Sequence, residues 1–101
     1  MEELIGQVSN SQIEAWKRQY GELFELKVGG HVCYLKRPSR KAIGYASVAS
    51  KDNLIRFNEV ILEDCFVGGS EAIKKEDKLF FGASSQIAAL LEVEQSTLGK
   101  L

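Results

Sequence analysis

Two short runs of alternating residues meet at Gly29-Gly30 and lead straight into Pro38, and nothing else in the chain restricts local structure as tightly. In the first run Phe24, Leu26 and Val28 fall on one side of a strand, with Glu25 and Lys27 on the other. Both central positions of a two-residue type I′ turn need positive φ, which glycine adopts at no steric cost. That turn sets Val28 opposite His31, Leu26 opposite Cys33 and Phe24 opposite Leu35. One face of the ribbon is then almost wholly apolar. The other, with Glu25 and Lys27 against Tyr34 and Val32, is expected to be half wet. Pro38 ends the second strand because it has no N–H for the ladder. A lone two-stranded ribbon is marginal in water, so helices must cover its apolar face.

The rest of the chain supplies those helices. Ser9-Asn10-Ser11 offers N-caps, and Ser11 with Glu14 forms a capping-box pattern. Ile13, Trp16 and Tyr20 follow at helical spacing and Gly21 sits where a helix stop belongs, so a helix is predicted over 11–20. Ser39 is positioned to cap a weaker helix over 40–49, with Ala42, Tyr45, Ala46 and Ala49 on one face. Asn53 starts a stronger one, in which Leu54, Phe57, Ile61 and Cys65 form a stripe widened by Val60 and Leu62. Phe66-Val67-Gly68-Gly69 reads as its end. After a polar stretch, Leu79, Phe80, Ala83, Ile87, Leu90 and Leu91 mark a last helix over roughly 77–92. The expected fold is a single α+β domain over residues 1–101. It consists of a two-stranded antiparallel hairpin packed with three to four short helices, with frayed ends at 1–8 and 93–101.

Charge divides the chain unevenly. Residues 1–49 carry seven basic and five acidic side chains, and residues 50–101 carry six and nine, giving halves near +2 and −3 within a net charge of −1. Such mild asymmetry orients an encounter but does not mark a dedicated polyanion binder. Cys33 and Cys65 stand far apart with no C-x-x-C spacing, within apolar patterns, and read as buried free thiols. Met1-Glu2-Glu3 begins an acidic stretch without a secretory apolar core, and no apolar run approaches a membrane span. A cytoplasmic protein is expected.

No catalytic or metal-binding constellation assembles from these residues, and no cofactor is expected. His31 is the only histidine and flanks a turn, without a neighbour to orient it as a general base. Cys33 lies two residues along the same strand, about 7 Å away by strand geometry, beyond hydrogen-bond reach. Glu59, Glu63 and Asp64 read as a solvated helix face. Lys36, Arg37, Arg40 and Lys41 are the one charged cluster, with no acidic residue between Lys27 and Lys41. They read first as a solvated rim, then as a contact for an acidic protein. Last comes a phosphate-contacting patch in which Tyr34 stacks on a base. The tentative partner-binding set is therefore Tyr34, Lys36, Arg37, Arg40 and Lys41, with Phe80, Ile87 and Leu91 from the last helix.

This arrangement resembles the small tail assembly chaperones of tailed bacteriophages and prophages. The resemblance lies in the ribbon's end and the helix after it, Leu35-Lys36-Arg37-Pro38-Ser39-Arg40, in the middle helix Leu54–Phe66, and in the acidic lead-in Glu76-Asp77-Lys78-Leu79-Phe80. It covers roughly residues 21–91. What it implies is a non-enzymatic, protein-binding assembly factor in the bacterial host cell. Such a factor binds a long hydrophobic tape measure protein and keeps it soluble until tail tube protein surrounds it. Amphipathic helices in a chain too small to hide every apolar stripe make a second copy of the chain the other expected partner. The alternative from a different class is a small nucleic-acid-binding or regulatory domain using residues 36–41.

Overall fold

The computed structural model describes residues 4–91 and 96–101. The hairpin forms as the glycine pair dictates. Strands β1 (Leu23–Val28) and β2 (His31–Lys36) pair antiparallel with Val28 opposite His31, Leu26 opposite Cys33 and Phe24 opposite Leu35. Gly29 and Gly30 have φ of 53° and 79°, the pair of positive values a type I′ turn requires.

Four helices fall close to their expected places. They are α1 (Asn10–Tyr20), α2 (Arg40–Ser50), α3 (Leu54–Cys65) and, last in the chain, a helix over Asp77–Leu90. The caps explain the starts. Ser39 Oγ accepts from the Ala42 N–H and Asn53 Oδ1 from the Arg56 N–H. At α1 the cap is Ser9, whose Oγ accepts from the Gln12 N–H, so the helix starts ahead of the Ser11–Glu14 pattern. The polar stretch before the last helix contains one further turn, α4 (Ala72–Lys75), which makes Asp77–Leu90 α5.

Two corrections concern the sheet. Among the described residues it has three strands, not two: Phe66–Gly69 forms β3, which pairs antiparallel with β2, in the order β1-β2-β3. A bulge between Tyr34 and Leu35 leaves Val67 as the extra residue. The sequence hides this strand because four residues with two glycines show neither alternation nor strand propensity. Close packing explains the glycine instead. A Cβ on Gly68 would stand 2.6 Å from the Trp16 ring, so only a bare backbone fits beneath that indole.

The second correction is that both faces of β2 are covered. Cys33 and Leu35 join Leu26, Ile61, Leu62, Cys65, Ile73, Phe80 and Ile87 in the core beneath α3 and α5. On the other face Val32 and Tyr34 are also buried, not half wet. Trp16 of α1 sits 5.5 Å from the Tyr34 ring, and the Val8 N–H donates to Tyr34 Oη. The N-terminal arm completes the lid. Ile5 bridges His31, with the Ile5 N–H donating to Gly30 and the Val32 N–H to Ile5. Gly6, at φ 95°, lies so close to Val32 and Ser70 that a side chain there would meet backbone atoms. Residues 4–8 are thus docked rather than frayed. Residues 1–3 and 93–95 lie outside the described residues, and 96–101 are exposed without regular structure.

Candidate functional site: a groove along the third helix

The predicted partner-binding residues do not form one surface. Tyr34 is only 2% exposed and spends its ring on Trp16, so it offers no face for stacking. Lys36 and Arg37 diverge because neighbouring strand residues point to opposite sides. Lys36 Nζ lies 5.4 Å from the Tyr20 ring centroid at the end of α1. Arg37 reaches the other way, with Nε donating to Glu22 at 2.8 Å, its guanidinium 5.1 Å from the Phe24 centroid, and Nη1 donating to the Leu90 carbonyl. That last bond caps the C-terminal end of α5, where a cation is favoured. Arg40 and Lys41 stand exposed on the first turn of α2. Ile87 and Phe80 of α5 are core, and Leu91, one residue past the helix, is half-buried.

Apolar exposure lies elsewhere. Tyr45 (64% exposed) and Val48 (75%) on α2, Leu54 (70%) and Ile55 (51%) on α3, and Phe81 (55%) on α5 all face solvent. The sequence places Tyr45 with Ala42 and Ala46, and Leu54 with Ile61, but α2 packs chiefly on α3 alone. Only Ala42, Ala46 and Ser50 of it are buried. Lys51 and Asp52, at φ 43° and 74°, turn α2 back on α3, and the hairpin they form leaves its outer side bare. Phe81 is missed because its neighbour Phe80 fits the apolar stripe and Phe81 does not. An aromatic one step off the stripe is the signal that finds it.

Of these exposed residues, Tyr45 lines a groove of about 500 Å³ whose walls also include Val60 and Phe80. A smaller hollow of about 200 Å³ continues it past Ile55 and Phe81, the two sharing Glu59, Lys74 and Phe80. The rim is charged and largely self-paired. Arg56 meets Glu59 at 3.5 Å, and Lys74 meets Glu63 at 3.4 Å and Glu71 at 2.8 Å. Lys74 is the most fixed of these, with 17% of its side chain exposed and Nζ 4.3 Å from the Phe66 centroid. Burial alone would lower its pKa, but the Glu71 hydrogen bond and the Glu63 charge outweigh it and hold the pKa above the usual lysine value. Glu59, Glu63 and Asp64 are all exposed, as a solvated helix face requires, and the same face forms part of the groove's rim.

The groups with chemical reactivity are placed elsewhere. His31 Nδ1 is hydrogen-bonded to Ser70 Oγ at 2.7 Å, which ties the hairpin turn to the end of β3. Cys33 and Cys65 are free thiols in the core, and burial pushes each up to about 12. Among the described residues no group of three or more His, Cys, Asp or Glu could hold a metal ion, and every buried side-chain polar atom has a partner. No helix in them is long and apolar enough to cross a membrane. The arrangement can offer shape, apolar contact and paired rim charges. Compared with family models, curated proteins and solved structures, the chain matches none.

Proposed function

We propose that this chain is a non-enzymatic assembly factor that binds a hydrophobic helix of another protein in the groove along α3. The observation that carries the reading is the set of large apolar side chains standing exposed at two adjoining hollows that share Glu59, Lys74 and Phe80, Tyr45 at the larger and Ile55 and Phe81 at the smaller. An amphipathic helix laid in such a hollow buries its stripe against those side chains and leaves its flanks to the charged rim. Lys74, held by two carboxylates and resting on Phe66, gives the rim a fixed shape before a partner arrives. The resemblance to tail assembly chaperones points this reading to a tape-measure-type partner, long, helical and insoluble by itself. The docking residues are then Tyr45, Ile55 and Phe81, with Phe80 as floor.

Co-expression with such a protein tests the reading. The wild-type chain should bring the tape-measure-type protein into the soluble fraction and co-purify with it, and the triple variant Y45S/I55S/F81S should not. Failure of the wild type to solubilise it would end the tail-chaperone reading. Equal success of the triple variant would end the assignment of the groove.

A further inference from the structure

Among the described residues the outer edge of β1 is open, because the sheet order β1-β2-β3 gives it no neighbour on that side. The hairpin turn determines which of its backbone groups face outward. In a type I′ turn Val28 and His31 are a hydrogen-bonded pair, so Leu26 and Phe24 also point their N–H and C=O groups at β2. Glu25 and Lys27 therefore point theirs away, toward solvent. Val32, opposite Lys27, agrees: its N–H and C=O turn from β1 and bond Ile5 and Ser70. Free edge groups of this kind are a template for another strand.

We propose that the edge is completed by β1 of a second copy of this chain, added antiparallel about a two-fold axis at Leu26. Side-chain charge favours both the occupant and the register: Lys27 Nζ and Glu25 meet at 3.2 Å within one strand, and the same two groups can exchange partners across the axis. With Leu26 opposite the partner's Leu26, Glu25 faces the partner's Lys27 and Lys27 faces the partner's Glu25. The outward backbone groups of the same residues then bond each other. Sliding by one hydrogen-bonding step either way sets Glu25 against the partner's Glu25 or Lys27 against the partner's Lys27, which is unfavourable across a strand pair. The strand is thus complementary to itself in one register, as a two-fold interface requires.

Packing on the inner face agrees. Phe24 and Val28 are each only half-buried and would come to lie opposite one another across the axis. A hollow of about 350 Å³ lies beside them, between Phe24, Leu26 and the α5 residues Gln86, Ala89 and Leu90. Helix α5 runs along β1, with Gly82 over Val28, and its exposed residues beside the edge strand are Gln86 and Ala89. Two such helices can lie side by side above a six-stranded sheet. This surface shares no residue with the groove along α3, so the inference stands or falls independently of the proposed function.

Sedimentation of the wild type and of E25K, K27E and the doubly exchanged E25K/K27E tests it. The wild type should dimerise, each single variant should weaken the dimer roughly tenfold or more, since two symmetric pairs turn repulsive, and the double exchange should restore it. A wild type that stays monomeric to high micromolar concentration would overturn the proposal, the two charges then guarding the edge. So would a dimer indifferent to the single variants, or one that the double exchange fails to restore. Amide hydrogen exchange of the wild type needs no variant to fold. The Glu25 and Lys27 amides should gain protection as concentration rises, and concentration-independent fast exchange would refute the pairing.

Discussion

The second strand and the second helix follow one another in the chain and live in opposite surroundings. Strand β2 is covered above by α1 and the N-terminal arm and below by α3 and α5, with four of its six residues buried. Helix α2 rests chiefly on α3 and turns Tyr45 and Val48 outward. The difference separates two uses of apolar side chains. Around β2 they are spent on holding the domain together. Along α2 and α3 they are spare, which is what a surface for another protein needs.

The largest effects should appear where the thiols and Tyr34 sit. With pKa values near 12, Cys33 and Cys65 should react with a thiol reagent at pH 8 about a thousandfold more slowly in the folded protein than after unfolding. Fast modification in the native state would break the claim that the region around β2 is closed. The same shift has a pH consequence. Folding favours the neutral thiols, so their contribution is fully present below the unfolded value near 9 and is lost as pH rises toward 12. Chemical denaturation should show the midpoint falling across that window, and less steeply in a C33A/C65A variant.

Tyr34→Ala removes a buried ring, its contact with Trp16 and an acceptor for the Val8 N–H, and should cost about 3–5 kcal/mol in urea unfolding. Gly68→Val comes next, at about 1–3 kcal/mol, because its Cβ must displace the Trp16 indole. Its signature is a red shift of Trp16 fluorescence. No shift would mean that the indole does not rest on β3. Arg37→Ala should cost about 1 kcal/mol, since its ion pair and ring contact are partly exposed. A larger loss would make the stitch between hairpin and α5 part of the closed region.

Much of the fold was legible because a few residues carry steep local rules. Gly29-Gly30 sets the register of the hairpin, Ser39 and Asn53 cap their helices, and Pro38 separates strand from helix. The third strand was not legible, since Phe66–Gly69 is a strand through its partner β2 and not through its own residues. Nor was the cover over Tyr34, which comes from Ile5, Val8 and Trp16, residues far away in the chain. The candidate site fared worst for a related reason. Apolar periodicity says which helix face is greasy, not whether anything lies against it. Phe80 and Ile87, placed in the partner-binding set, are therefore buried by the fold, and Tyr45 and Leu54, which share stripes with the buried Ala46 and Ile61, are left bare.

Equilibrium urea unfolding of the triple variant Y45S/I55S/F81S tests the central claim most directly, that the apolar rim of the α3 groove is not needed for folding. Exposed side chains contribute within about 0.5 kcal/mol each, so the midpoint should stay near that of the wild type or rise. A loss as large as that from Tyr34→Ala would contradict the account, because these three side chains would then be part of the core and no docking surface would remain.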